Sequence, residues 1–127
     1  MIMREDLTAA CRLLGVIQRV VLREQLRRAE VLLDPAETVQ VLAPGWWRCQ
    51  RTLVVVTTSR LLLVRRELGC FTRDQVTYPL RGIGTLRVQA CPPEGVRFRV
   101  SMGLDLEEFS VTRHGDLVEH ALRGARS

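Results

Sequence analysis

The apolar run at residues 53–64 constrains the fold more than any other part of this sequence. Four aliphatic residues, three hydroxyl residues, one arginine and four further aliphatic residues follow one another there. Three adjacent valines favour extended backbone, and the hydroxyls of Thr57, Thr58 and Ser59 can bond to the nearby backbone and turn the chain. A single buried helix is the alternative, which the valines and hydroxyl residues disfavour. We predict an antiparallel hairpin whose strands are covered on both faces.

The length of 127 residues predicts one domain that is large enough to bury a core without disulfides or metal. Residues 1–6 lack the basic start and apolar core of a secretory signal, so we expect a cytoplasmic protein. The longest apolar stretch, residues 13–22, is interrupted by Gln18 and Arg19. It is too short to cross a bilayer, and we predict no transmembrane segment.

Residues that commonly carry chemistry are scattered along the chain. No two cysteines lie close enough to start a zinc or redox motif, and we expect buried free thiols at Cys11, Cys49, Cys70 and Cys91. His114 and His120 have no further ligand at metal-binding spacing. A Ser, His and Asp set and a glycine-rich phosphate loop are both missing from the sequence. We therefore predict no enzymatic activity, no metal and no cofactor.

All 19 basic residues are arginine, and the chain contains neither lysine nor asparagine. Arginine can grip phosphate or carboxylate with two N–H groups, and the lack of lysine excludes Schiff-base chemistry. Residues 44–90 hold eight arginines against two acidic residues, whereas the segments on either side are nearly balanced. This pattern has two interpretations: a phosphate-binding surface, or a nucleotide composition that favours arginine codons.

The N-terminal segment predicts one long amphipathic helix over residues 6–33, because apolar residues recur there at helical spacing. Asp34-Pro35 would end it, since the residue before proline is pushed out of the helical region. Such a helix would be about 40 Å long, and can pack on its own chain or on a second one. We expect packing within the chain, and a contact between chains through Leu14, Ile17 and Val21.

Segments of strand length follow the helix, separated by turn residues, and several alternate between apolar and polar positions. Seven strands are predicted, at residues 37–43, 51–57, 60–66, 75–79, 84–90, 96–101 and 104–111. In the last strand, a bulge at Glu107-Glu108 would turn Leu104, Leu106 and the later apolar residues into the core. The two carboxylates would then pair with arginines 97 and 99 across the ladder. A short helix over residues 115–123 closes the chain.

This order of elements resembles the pleckstrin-homology-like (PH-like) superfold, and in particular the bacterial PH-like and GRAM-type modules. The resemblance rests on residues 53–57 and 60–64 of the hairpin, Tyr78-Pro79-Leu80, Ile83 and Phe109-Ser110-Val111. Thr58-Ser59 departs from the acidic or amide turn residue of such modules. The resemblance implies a mainly β fold: a seven-stranded, strongly bent and partly open barrel capped by a C-terminal helix. The expected division is an N-terminal helix (1–34), the PH-like domain (35–124) and a tail (125–127).

The resemblance also implies a binding role, because PH-like modules bind lipid, peptide or protein. Their first inter-strand loop borders the open end of the barrel, where lipid-binding members hold phosphoinositide headgroups. Here that region is the predicted loop 44–48, with two tryptophans beside an arginine, and indoles suit a membrane interface. Arg48 and Arg51 stand three apart, which departs from the two-residue spacing of phosphoinositide-binding members. The candidate ligand residues are Trp46, Trp47, Arg48, Arg51, Arg65 and Arg66.

Three classes of function follow from these observations. Protein interaction or self-association in a bacterial cytoplasm comes first, with the arginines meeting acidic groups of a partner. Anionic-lipid or phosphate-headgroup binding through residues 44–90 is the alternative, and would place the protein at the inner face of the membrane. Nucleic-acid binding ranks third, because one tyrosine and three phenylalanines leave little for a stacking platform.

Overall fold

The computed structural model describes residues 5–12, 14–65, 75–92 and 95–124. The N-terminal helices are α1 (Glu5–Cys11), α2 (Gly15–Val21) and α3 (Arg23–Leu32). The strands are β1 (Val39–Trp47), β2 (Gln50–Thr57), β3 (Arg60–Arg65), β4 (Gln75–Pro79), β5 (Leu86–Cys91), β6 (Gly95–Met102) and β7 (Asp105–Val111). A 3₁₀ turn (Leu80–Gly82) joins β4 to β5, and α4 (Gly115–Gly124) follows β7. The predicted mainly β fold with seven strands and a C-terminal helix is confirmed.

The seven strands form one antiparallel sheet in the order β4-β3-β2-β1-β7-β6-β5. Because β4 and β5 stand at the two ends of this order, the sheet is not closed into a complete barrel. This agrees with the prediction of a partly open barrel. Val118 and Leu122 of α4 are fully buried in the cluster that fills the inside of the curved sheet.

The hairpin predicted at residues 53–64 is formed by β2 and β3, which are joined by the two-residue turn Thr58-Ser59. Its eight aliphatic side chains alternate between two fully buried clusters, as the period of a strand requires. Those facing the inside of the barrel are Val54, Val56, Leu61 and Leu63. Those facing the N-terminal helices are Leu53, Val55, Leu62 and Val64. The prediction that both faces of the hairpin are covered is therefore confirmed.

The prediction of one long N-terminal helix is wrong, because three short helices occupy that segment. Gly15 has a φ of 75°, which a residue with a Cβ rarely adopts, and it begins α2 in a new direction. Leu22 also leaves helical geometry between α2 and α3. These breaks let Leu7, Leu14 and Leu26 all pack on the outer face of β1–β3. A straight helix of about 40 Å would run past this sheet face.

Two details of the strands differ from prediction. Residues 44–47, predicted as a loop, are the end of β1, and the turn is instead Arg48-Cys49. Both turn residues have positive φ, which is typical of a two-residue type I′ hairpin. The predicted bulge in β7 is absent, because β6 and β7 pair in unbroken register. Alternation then exposes Leu104 and Leu106 while the later apolar residues are buried.

The two halves of the sheet meet where β1 pairs with β7 through only two residue pairs, Gly45 with Val111 and Trp46 with Ser110. A Cβ placed on Gly45 would lie 2.0 Å from the carbonyl oxygen of Ser110. The absence of a side chain at Gly45 therefore permits the two strands to approach.

A buried carboxylate, Glu37, connects the helical layer to the turn between β2 and β3. It accepts hydrogen bonds from Arg60, Thr57, Ser59 and the backbone N–H of Asp34. Arg60 also donates to the carbonyl oxygen of Leu32 at the end of α3. Burial alone would raise the pKa of Glu37, but these hydrogen bonds outweigh burial and lower it to about 2.

Candidate functional site

The adjacent tryptophans lie on opposite faces of β1, as strand alternation predicts. Trp47 is 1% exposed and points into the barrel, whereas Trp46 is 44% exposed on the outer face. The guanidinium carbon of Arg51 lies 5.7 Å from the centroid of the Trp46 ring. Trp46 and Arg51 therefore form an outward-facing cation–π pair, separate from Trp47.

Trp47 is the centre of a cluster inside the barrel, at the end that is next to the Arg48-Cys49 turn between β1 and β2. We call this end the mouth of the barrel, and its cluster the mouth cluster. Its ring contacts two guanidinium groups, that of Arg48 at 4.8 Å and that of Arg65 at 4.7 Å from the centroid. Its Nε1 donates a hydrogen bond of 2.6 Å to Oε1 of Glu107. Tyr78 donates from its hydroxyl to Oε2 of Glu107 at 2.7 Å, and Arg48 approaches the same oxygen at 3.4 Å. Three donors thus converge on one carboxylate.

Glu107 and Tyr78 belong to this cluster but were not predicted as site residues. The carboxylates of Glu107 and Glu108 were both predicted to pair with Arg97 and Arg99. The prediction is confirmed for Glu108, which lies 3.2 Å from Arg97 and 3.1 Å from Arg99, and is wrong for Glu107. Because β7 runs without a bulge, alternation turns Glu107 inward and Glu108 outward. The apolar residues of β7 change phase between Leu106 and Phe109, so the sequence pattern alone does not tell which of the two carboxylates faces inward.

The six predicted ligand residues therefore do not form one site. Trp47, Arg48 and Arg65 meet in the mouth cluster, Trp46 and Arg51 lie outside the barrel, and Arg66 lies outside the described residues. In the mouth, the carboxylate of Glu107 already occupies the position where Trp47, Tyr78 and Arg48 would donate to an anion. An external phosphate would have to displace this carboxylate.

Helix α2 presents a second candidate surface, because none of its residues is buried. Val16, Ile17, Val20 and Val21 are between 41% and 76% exposed. At about 100° per residue these four side chains share an arc of roughly 140°. The fully buried Leu22, which follows α2, marks the opposite side. The apolar face of α2 thus points away from the protein, the reverse of an ordinary surface helix.

Arginines flank this helix on both sides. One neighbouring groove is lined by Arg19, Arg23 and Arg27, together with Thr8, Cys11 and Leu26. The other is lined by Gln18 of α2 together with Pro44, Gly45, Trp46, Arg51, Thr112 and Arg113. Among the described residues, neither of these two grooves is lined by an acidic residue, whereas Glu24 lines a third groove next to Val20 and Val21. We call Val16, Ile17, Val20, Val21, Trp46 and these five arginines the α2 surface.

The predicted contact between chains at Leu14, Ile17 and Val21 includes one residue that is not accessible. Leu14 is fully buried beneath the helices of its own chain, whereas Ile17 and Val21 are exposed. The break at Gly15 explains this, because it turns residues 16–21 away from the face that a continuous helix would have buried. A contact between chains through Ile17 and Val21 stays a prediction. Val16 and Val20 are exposed on the same face of α2.

The described cysteines differ in their exposure. Cys11 is buried, and burial raises the pKa of its thiol although the nearby charge of Arg19 opposes this. Cys49 is exposed, so the prediction of a buried thiol is wrong for that residue. Cys91 is half-buried, and Cys70 lies outside the described residues. Among the described residues, no cluster of ligating side chains is suited to a metal ion, and no helix is long and apolar enough to span a bilayer.

The comparisons with known proteins reveal the fold. No protein-family model and no curated protein matches the sequence. Among solved structures, the chain is similar to a DUF1696 family protein with a pleckstrin-homology domain from Shewanella loihica, with a TM-score of 0.55 and 13% identity over 84% of this chain and 93% of that one. It is also similar to a pleckstrin homology domain from Shewanella amazonensis, with a TM-score of 0.50 and 16% identity over 90% of this chain and 99% of that one.

Proposed function

We propose that this chain, which has the bacterial pleckstrin-homology fold, is a non-catalytic binding module that attaches to an anionic membrane surface through the α2 surface. One observation carries the proposal: α2 buries none of its own residues and exposes four aliphatic side chains between two arginine-lined grooves. A contiguous exposed apolar patch of this kind marks an interaction site. An exposed aliphatic helix face bordered by arginines of neighbouring elements and by a tryptophan fits the interface of an anionic bilayer.

The energies involved are sufficient for reversible attachment. Full burial of one aliphatic side chain is worth about 1.5–3 kcal/mol, so four partly exposed ones supply about 5 kcal/mol. Each arginine close to an anionic bilayer adds about 1 kcal/mol. These gross gains come to about 10 kcal/mol, and the loss of translational and rotational freedom on binding offsets several kcal/mol of them, so we expect weak, reversible attachment. We expect the protein to act at the inner face of the membrane and to exchange with the cytoplasm.

The mouth of the barrel is the less suitable lipid site. Its arginines stack on Trp47, and the half-buried carboxylate of Glu107 already accepts hydrogen bonds from the donors there. Arg51, by contrast, lies over the exposed Trp46 in the groove beside α2. Arg48 at the mouth of the barrel and Arg51 beside α2 therefore provide a matched pair of arginines for locating the lipid-binding site.

Self-association through Ile17 and Val21 is the second candidate, favoured by the same aliphatic face. A length and an area make self-association a weaker candidate than membrane attachment. A seven-residue helix is about 10 Å long, and a stable interface buries about 800 Å² on each partner. Two copies meeting through α2 would also bring like-charged arginines together. Light scattering should therefore show a monomer across the micromolar range. A dimer that the variant Ile17→Asp abolishes would make self-association the better candidate.

Cosedimentation with vesicles tests the proposal. The wild type should bind vesicles that contain phosphatidylglycerol, more weakly as salt rises, and should not bind pure phosphatidylcholine. The double variant Ile17→Asp, Val20→Asp should bind at least tenfold more weakly, because charged groups would replace two aliphatic side chains that the bilayer would bury. The matched control is Val31→Asp, which changes another exposed valine on α3 and should bind as the wild type does. Equal binding by all three proteins would contradict the proposal.

The matched arginine variants separate the two candidate lipid sites. Arg51→Gln should weaken vesicle binding about fivefold, the effect of losing about 1 kcal/mol, whereas Arg48→Gln should leave it unchanged. The reverse result would move the site to the mouth of the barrel. A nucleic-acid shift assay in the same salt series provides the remaining arm, and a shift without vesicle binding would replace the proposal with nucleic-acid binding.

A further inference from the structure

A groove between α1 and α3 is lined by three exposed arginines of two helices. Arg19 belongs to α2, and Arg23 and Arg27 lie one turn apart on α3, where like charges destabilise a helix. Glu24 lines the next groove along α3, not this one. Among the described residues, none of the three guanidinium groups forms a salt bridge, whereas five other arginines each meet a carboxylate. The groove therefore concentrates positive charge that the protein does not pair with its own acidic groups.

The floor of this groove is apolar. Leu26 of α3 is 5% exposed and Cys11 of α1 is 4% exposed, and Thr8 completes the lining. Burial raises the pKa of the Cys11 thiol and the charge of Arg19 opposes this, which shows that the guanidinium of Arg19 lies close to the floor. The volume of about 390 Å³ is within the range of small-molecule sites. We call it the α3 groove.

The α3 groove opens beside the aliphatic face of α2. At about 100° per residue, Arg19 lies roughly 60° from Val16 around the helix, outside the arc of the four exposed aliphatic side chains. If that face enters a bilayer interface, the guanidinium of Arg19 comes to the depth of the lipid headgroups, as it does for arginines that border apolar surface. The position of the groove therefore suits a lipid phosphate.

We propose that the α3 groove binds the phosphate of a membrane lipid whose headgroup is a phosphomonoester, as in phosphatidic acid. This binding rests on the proposed membrane attachment, because the bilayer presents the lipid. A phosphomonoester carries a charge of about −1.5 to −2 at pH 7 and three acceptor oxygens. The phosphodiester of phosphatidylglycerol carries a single charge and two such oxygens. Three arginines can each pair with one oxygen of the monoester through charge-assisted hydrogen bonds, which are about twice as strong as neutral ones.

Cosedimentation with two sets of vesicles of equal surface charge tests this preference. One set contains phosphatidylcholine and phosphatidic acid, and the other contains phosphatidylcholine and enough phosphatidylglycerol to give the same zeta potential. The wild type should bind the phosphatidic acid vesicles at least fivefold more tightly, because the attraction to surface charge alone is equal in the two sets. Equal binding to both sets would overturn this inference and leave membrane attachment intact. Binding to neither set would overturn both.

The double variant Arg23→Gln, Arg27→Gln locates the site. Both positions are exposed and glutamine is a good helix former, so the variant should fold. It should lose the preference for phosphatidic acid and still cosediment with both sets of vesicles, because the aliphatic face of α2 is unchanged. The matched control Arg81→Gln, Arg87→Gln removes the same charge from exposed positions of the 3₁₀ turn and β5, and should keep the preference. A preference that survives in the first variant would overturn the inference.

Glycerol 3-phosphate distinguishes a lipid from a soluble phosphate as the ligand. It presents the same phosphomonoester without acyl chains. In tenfold molar excess over phosphatidic acid it should not displace the wild type from the vesicles, because burial of the α2 face requires the bilayer. Displacement would assign the α3 groove to a soluble phosphate and would overturn the lipid as its ligand.

Discussion

Replacing Glu37 by glutamine is expected to lower the free energy of unfolding by about 3 kcal/mol at pH 7. The carboxylate is 4% exposed and accepts hydrogen bonds from four donors, and its pKa falls from 4.5 to about 2. A difference of this size between folded and unfolded chains corresponds to about 3 kcal/mol. The glutamine variant also leaves Arg60 partly buried without its carboxylate, a change that is costly in proteins.

The effect should depend on pH with a definite sign. Because the folded pKa of Glu37 lies below the unfolded one, its ionisation stabilises the protein fully above about pH 4.5. That contribution is lost as the pH falls toward 2, where the folded carboxylate also becomes protonated. Urea unfolding at pH 7, 4 and 2.5 should therefore show the difference between wild type and Glu37→Gln shrinking with acid.

The matched control for Glu37 is Glu119→Gln, which breaks a half-exposed salt bridge with Arg123 on α4. Such surface pairs are worth about 0.3–0.5 kcal/mol. Equal losses of stability in the two variants, or a loss for Glu37→Gln that does not change with pH, would contradict the role given to Glu37 in joining the helices to the β2–β3 turn.

The second large effect is expected from Gly45→Ala, which should cost about 3 kcal/mol or more. The new methyl group would lie 2.0 Å from the carbonyl oxygen of Ser110, so β1 and β7 would have to separate. These strands share only two residue pairs, to which Thr112 adds one backbone hydrogen bond of 2.9 Å to the carbonyl oxygen of Pro44. Overpacking against backbone cannot be relieved by a change of rotamer.

Urea unfolding with Gly124→Ala as the matched control tests this prediction. A methyl group on Gly124, at the end of α4, would meet no atom within 4 Å, so its substitution should change stability by less than about 0.5 kcal/mol. A loss below about 1 kcal/mol for Gly45→Ala would show that the two halves of the sheet tolerate separation at β1 and β7.

Much of the fold was predictable because strand alternation and turn chemistry are local properties. The aliphatic residues on either side of Thr57-Thr58-Ser59 can satisfy both buried clusters only as a hairpin. The N-terminal helices were harder to predict, because apolar spacing continues through Gly15 while the backbone does not. The φ of Gly15 is positive, and the chain changes direction there before α2.

The candidate site was only partly predictable for a related reason. Adjacent tryptophans on a strand must face opposite ways, which separates Trp46 from Trp47. The convergence of Trp47, Tyr78 and Glu107 joins three strands that are distant in sequence, and no spacing rule predicts it. The exposed face of α2 depends in turn on the break at Gly15. Counting charges by segment located the basic region at residues 44–90. The count could not separate the arginines at the mouth of the barrel from those on the α2 surface.

The most direct test of membrane attachment follows the emission of Trp46. Trp47 lies buried between two arginines, so vesicles should affect the exposed Trp46 alone. Phosphatidylglycerol vesicles with bromine on shallow acyl positions should shift the emission to the blue and quench roughly half of it, because Trp46 would enter the interface. The variant Trp46→Phe should cosediment but show no quenching. Cosedimentation of the wild type without quenching, or equal quenching in Trp46→Phe, would contradict attachment through the α2 surface.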